Sequence, residues 1–75
     1  VELRSGEVGV VVEQNRIRRL KPRVLVLLDK EKTALARPFT LDLKDEPQSE
    51  DGSPHRIWRA LPAGSHGIDP REFYL

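Results

Sequence analysis

An all-β fold, either a small antiparallel barrel or a strongly curled sheet of about five strands with a short C-terminal helical turn, is predicted by two apolar runs and what separates them. Val8-Gly-Val-Val-Val-Glu13 and Val24-Leu-Val-Leu-Leu28 are built from β-branched and aliphatic residues. Each is shorter than the roughly ten residues that a helix needs, and each is apolar on both faces, as in strands covered on two sides. Between them, from Arg16 to Arg23, lie five basic residues and no acidic one, a solvated connector between strands.

Each element follows from local chemistry. Val1-Glu-Leu3 alternates and runs into Arg4-Ser5-Gly6-Glu7, where Gly6 supplies the positive φ of a tight turn, so a first hairpin is expected. In the second strand Val8, Val10 and Val12 share one face and Gly9, Val11 and Glu13 the other, and one of the two faces is core. Gly9 leaves room for another backbone to approach closely. Gln14 and Asn15 end the run, and Ile17 and Leu20 are expected to anchor the basic arm. Pro22 has no backbone donor and a fixed φ, which suits the start of a strand, so the third strand begins near Arg23 and Val24 to Leu28 forms the centre of the sheet. Asp29-Lys-Glu-Lys32 is a polar turn. After Ala34 to Pro38 comes a shorter fourth strand, Phe39-Thr-Leu-Asp-Leu43, alternating Phe39, Leu41 and Leu43 and pairing antiparallel with the third. From Lys44 to Pro54 no large apolar side chain occurs, the composition of a mobile acidic loop. His55-Arg-Ile-Trp-Arg-Ala-Leu61 reads as a fifth strand with Trp58 at the core edge and Arg56 in solvent. Asp69-Pro-Arg-Glu72 has the order of a helix start, an Asp cap followed by Pro at the first helical position and Glu two further on, with Phe73, Tyr74 and Leu75 pinning the tail.

The 75 residues begin at Val1, and residues 1–75 are expected to be a single small β module taken from a longer polypeptide. A domain of this size buries only about 60% of the surface of its unfolded chain, so individual core residues should matter to stability. Cys is absent, which removes disulfide scaffolds, thiol catalysis and cysteine zinc sites and is compatible with a reducing cytoplasm, the expected location. Apolar runs of about five residues fall far short of the roughly 20 of a membrane span. With Lys+Arg 13 against Asp+Glu 12, the net charge is +1, and bulk charge selects neither nucleic acid nor membrane as a partner.

Four sets of residues were weighed as sites. Arg16, Arg18, Arg19, Lys21 and Arg23 can neutralise phosphates or dock a neighbouring domain. No aromatic is interleaved among them to stack on bases, and the acids between Asp42 and Asp51 are available to pair with them, so a solvated or domain-docking arm is the plainer reading. His55 and His66 do not stand at any metal-ligand spacing with Asp51, Asp69 or Glu72, and no metal site is expected. The remaining carboxylates fall in turns, so no acid and base pair is held for catalysis and no catalytic residue is expected. Trp58, Phe39, Phe73 and Tyr74 are the only aromatics. A ligand-facing patch is conceivable, but a small core needs their buried area, and Trp58 is the best candidate for an interface.

In order along the chain, Val1-Glu-Leu-Arg-Ser-Gly-Glu-Val-Gly-Val-Val-Val-Glu-Gln-Asn15, Pro22-Arg-Val-Leu-Val-Leu-Leu-Asp29, Leu41-Asp-Leu43, Ile57-Trp-Arg-Ala-Leu61, Gly67-Ile-Asp-Pro70 and Phe73-Tyr-Leu75 resemble the C-terminal tail of the HD-GYP-type metal-dependent phosphohydrolases of bacteria. Many of that family are cyclic-di-GMP phosphodiesterases. The resemblance covers most of the chain and departs from the family in the acidic loop and in Pro62-Ala-Gly-Ser-His66. It implies a noncatalytic accessory domain of a signalling phosphohydrolase, because the family's His-Asp and Gly-Tyr-Pro signatures belong to an upstream helical domain and have no counterpart here. Divalent metal is then expected only in that domain, with no cofactor in this module. The implied partner is the catalytic domain of the same polypeptide, with a homo-oligomer as a further option. The alternatives kept beside it are a small barrel binding nucleic acid or nucleotide through the basic arm, a less favoured partner, and a protein-interaction module that adds a strand at a sheet edge.

Overall fold

Five strands form one antiparallel sheet in a computed structural model that describes residues 1–62, 64–69 and 72. The strands are β1 (Glu2–Leu3), β2 (Val8–Glu13), β3 (Arg23–Leu28), β4 (Ala34–Asp42) and β5 (Ile57–Arg59), in the spatial order β4-β3-β2-β1-β5. The all-β expectation holds, and so do the bounds of the two apolar strands. The sheet does not close: β4 and β5 are its two edges. Register shifts interrupt the β1–β5, β2–β3 and β3–β4 pairings, and such bulges bend and twist a sheet. The centre of the strand order is β2, with β3 beside it.

The core lies on one side of the inner strands. Leu3, Val24 and Val26 are fully buried and Leu43 almost so, with Val1, Val11, Leu35, Leu41 and Ile57 packed against them. Cross-strand pairs Val11↔Val24 and Gly9↔Val26 put Gly9 and Val11 on this side. Val8 and Val10 are nevertheless buried, as is Leu27 on the opposite side of β3 from Val24 and Val26. The inner strands are therefore covered on both faces over part of their length, as their unbroken apolar runs require.

Turn chemistry accounts for the connections. Gly6 takes φ 104° between β1 and β2, where Leu3 N–H donates to Glu7 O at 2.8 Å and Gly6 N–H to Leu3 O at 2.9 Å. Between β3 and β4, Asp29 Oδ1 accepts from the amides of Glu31 (2.9 Å) and Thr33 (3.0 Å).

Four sequence expectations are corrected. β4 begins at Ala34, not Phe39, because Ala34 pairs with Leu28: Val26↔Phe39 and Leu28↔Ala34 are two steps apart on β3 but five on β4, so β4 absorbs three extra residues as a bulge. Pro38 sits in that bulge on an edge strand, the place where a missing donor costs least. Leu43 leaves the strand and opens a 3-10 turn (Leu43–Asp45) that drops its side chain into the core, with Asp42 Oδ1 accepting from Lys44 N at 3.2 Å. β5 is three residues long rather than seven. Ile17 and Leu20 anchor nothing, being 92% and 85% exposed. The proposed C-terminal helix start and the pinning role of Phe73, Tyr74 and Leu75 involve Pro70, Arg71 and 73–75, which lie outside the described residues; a single Glu72 N to Asp69 O bond of 3.1 Å is present.

The acidic loop is hydrogen-bonded. Gln48 bridges Pro54, Ser49 N–H donates to Ser53 O at 2.8 Å, and Asp51 Oδ1 accepts from the Ser49 hydroxyl (2.6 Å) and the Ser53 amide (2.9 Å). Short polar side chains thus satisfy a backbone that has no sheet neighbour. The Ser49 hydroxyl first, then the Ser53 groups, hold the Asp51 carboxyl down from 3.8 to about 2. A folded pKa below the unfolded one makes this turn's electrostatic support complete above about pH 4 and lost as pH falls through about 2. An NMR titration of Asp51 should give a midpoint of about 2, and Ser49→Ala should move it back toward 3.8; an unshifted midpoint in that variant would remove the hydroxyl from the account.

Candidate functional site

The basic arm, residues 14–22, joins the end of β2 to the start of β3. Asn15 Oδ1 accepts from the amides of Ile17 (3.0 Å) and Arg18 (3.1 Å), and Lys21 N–H closes onto Arg18 O at 2.9 Å. Asn is favoured at such a position because its side chain imitates a backbone turn. These bonds leave residues 16–20 exposed as a tip.

The five cations predicted as one set divide into two. Lys21 Nζ binds Glu46 Oε1 at 2.8 Å, and Arg23 lies between Glu13 (3.4 Å) and Asp42 (3.5 Å), its register neighbours on β2 and β4. The Lys21 contact holds the Glu46 carboxyl below its ordinary value, so the acidic loop does meet the arm inside the molecule. Arg16, Arg18 and Arg19 are exposed and make no ion pair among the described residues. A shallow groove of about 600 Å³ runs beside the arm, lined by Glu13, Asn15, Arg16, Ile17, Arg23 and Asp42 among others. Its mixed charge does not focus an anion. What the tip presents instead is three guanidinium groups interleaved with two bare aliphatic side chains.

At the far edge, Trp58 is 57% exposed on β5 and the Arg59 guanidinium stands 4.6 Å from its ring centroid, a cation–π contact. Phe39, 44% exposed, belongs to β4 at the opposite edge of the sheet. The two described aromatics therefore form no common patch and neither is fully buried, contrary to the core role expected of most of the aromatics.

Arg59 leads to a group that the sequence reading passed over. Glu2 is only 4% exposed, and its Oε1 accepts from Arg59 Nε at 3.0 Å and lies 3.0 Å from Arg59 Nη2, while Oε2 lies 3.4 Å from Lys32 Nζ. Lys32 also donates to Gly6 O. Burial pushes the Glu2 carboxyl up, but the hydrogen bonds and charges of Arg59 and Lys32 together outweigh it and hold it below 4.5. The one clue in the sequence was an acid between Val1 and Leu3 in a strand too short to have an outer face. This cluster ties β1, the β3–β4 turn and β5 together, a structural task.

A second cleft of about 700 Å³ opens where the core side of β4 meets the acidic loop. Leu35, Phe39 and Leu41 supply its apolar lining and Glu7, Asp29, Glu31, Glu50 and Asp51 its acidic rim, with Lys30 the one lysine. Five separate stretches of chain build it, His55 being the last, so no local pattern announced it. His55 Nδ1 stands 3.2 Å from Ser5 Oγ and 3.7 Å from Glu7 Oε2, whereas His66 lies in the 3-10 turn Ser65–Gly67. No three His, Asp or Glu side chains among the described residues are grouped to hold a metal ion. No helix is long and apolar enough to cross a membrane.

Comparison with known proteins returned one family: the model of a KOW domain associated with HD domain matches residues 1–49, which takes in β1 to β4 and the 3-10 turn after them. No curated protein and no solved structure matches.

Proposed function

Because the chain belongs to the family of KOW domains associated with HD domains, we propose that it is the noncatalytic C-terminal accessory domain of a bacterial HD-GYP-type phosphohydrolase that turns over cyclic-di-GMP in signalling. The family match over residues 1–49 carries this reading. The resemblance of Ile57-Trp-Arg-Ala-Leu61 and Gly67-Ile-Asp-Pro70 to the same kind of tail supports it beyond the matched stretch. In this reading the partner is the catalytic domain of the same cytoplasmic polypeptide, and the divalent metal belongs to that domain. Trp58, exposed beside Arg59 on an edge strand, is the contact residue, since a large ring with a polar neighbour is the kind of side chain that anchors interfaces.

The test is made on the parent polypeptide. Loaded with manganese or iron, it should hydrolyse cyclic-di-GMP, and the 75-residue chain alone should not. Trp58→Ala in the parent should lower either turnover or melting temperature of the catalytic domain while leaving the fold of the isolated module intact. Turnover by the isolated chain, or a parent without a His-Asp pair and a Gly-Tyr-Pro segment upstream, would defeat the proposal. An affinity of the module for RNA that falls steeply with salt and vanishes when Arg16, Arg18 and Arg19 become Ala would move it to the nucleic-acid-binding class.

A further inference from the structure

We infer that the arm tip of one molecule docks into the acidic cleft of a second copy of this chain, a head-to-tail contact independent of the catalytic partner proposed above. The tip brings three arginines, Arg16, Arg18 and Arg19, that make no ion pair among the described residues, and two aliphatic side chains, Ile17 and Leu20, that are 92% and 85% exposed. Exposing two large aliphatics on one turn leaves apolar surface that none of the described residues covers. The cleft is its chemical complement. Its apolar wall of Leu35, Phe39 and Leu41 leaves Phe39 44% exposed, and five carboxylates against one lysine give the surrounding rim a strong negative bias. On this rim Glu50, although 3.7 Å from Lys30, and Glu31 are both exposed to solvent.

Geometry keeps the two halves of this contact apart within one molecule. The tip extends from the end of the sheet where Glu13 pairs Arg23, whereas the acidic rim at Glu7 and Asp29 flanks the opposite end, where Val8 pairs Leu28, and Leu41, paired with Val24, carries the apolar wall back toward the tip's end. Six-residue strands separate the ends by about 20 Å. An arm of nine residues, fixed at both ends, extends at most about 15 Å from them. None of residues 16–20 lines this chain's own cleft, and the opposite charges of tip and rim make a second copy the occupant we assign to it. A contact of one turn in one cleft is small, and its dissociation constant should be on the order of 100 µM. Because the two surfaces differ, the contact is heterologous and leaves a free tip and a free cleft on each dimer.

Sedimentation velocity of the 75-residue chain, from about 10 µM to 1 mM, should show association that weakens about fivefold or more between low and high salt. Ile17→Asp with Leu20→Asp should leave a monomer with an unchanged circular-dichroism spectrum, and so should Glu31→Lys with Glu50→Lys, since all four side chains lie on the surface. Mixed together, these two monomeric variants should form a one-to-one dimer and nothing larger, because the first retains a cleft and the second a tip. A wild-type chain that stays monomeric at 1 mM would overturn the inference. So would variants that still associate, or a mixture that does not. Binding of the tip to RNA or to the HD domain by a chain that remains monomeric would equally assign it to another partner.

Discussion

Gly9→Ala is expected to destabilise the domain by about 3 kcal/mol or more, and Gly9→Val to prevent folding. A Cβ at this position would stand 2.4 Å from Leu25 O and 2.8 Å from Val24 Cγ1. The nearer atom is backbone in the neighbouring strand, so it cannot rotate away, and the register itself must move. Overpacking a core ordinarily costs 1–3 kcal/mol where side chains can yield, and here relief would break the β2–β3 ladder on which the sheet depends. For a domain of this size the Ala variant should lose roughly 12–24 °C in melting temperature. Gly52→Ala is the control. Gly52 has φ 85° and nothing near its would-be Cβ, so it tests backbone conformation alone, at a cost of about 1–2 kcal/mol. The contact explanation fails if Gly9→Ala proves no more harmful than Gly52→Ala.

Glu2→Ala should lower the melting temperature by roughly 10 °C or more at neutral pH, far more than removal of an exposed carboxylate. The substitution strips Arg59 and Lys32 of their shared partner at the point where β1, β5 and the β3–β4 turn converge. Glu2→Gln isolates the charge. Because the folded Glu2 carboxyl is held below its unfolded value of 4.5, its contribution is fully present above that pH and is lost as pH falls through the folded pKa. Melting curves of wild type and Glu2→Gln should therefore be farthest apart near neutrality and converge in acid below pH 4.5. Parallel curves from pH 7 to pH 3 would mean that shape, not charge, makes Glu2 important. Partner-side variants give an internal check: Arg59→Ala should reproduce part of the loss and also free the Trp58 ring, seen as a change in its fluorescence.

Much of this fold was legible because the deciding interactions were local. Runs of valine and leucine too short for a helix specified β2 and β3, Gly6 specified the first turn, and Pro22 fixed where β3 begins. Resemblance of the ordered segments anticipated the association with HD domains. Misreadings occurred where a residue's role depends on a distant strand. Pro38 looked like the end of a loop, yet an edge position and a bulge admitted it into β4. Ile17 and Leu20 looked like anchors because their side chains are apolar, yet none of the described residues covers them. The five cations of the arm looked equivalent in sequence, but Lys21 and Arg23 face carboxylates from elsewhere in the chain and only the other three remain available.

By itself, then, the sequence determined the all-β class and the inner strands, since periodicity and turn preferences act over a few neighbouring residues. The tertiary structure alone decided that the sheet stays open, that Glu2 is a buried charge and that an acidic cleft forms without any residue of the basic tip. Those outcomes depend on which strands become neighbours, and pairings such as Glu2 with Arg59 join residues so far apart in sequence that no local pattern encodes them.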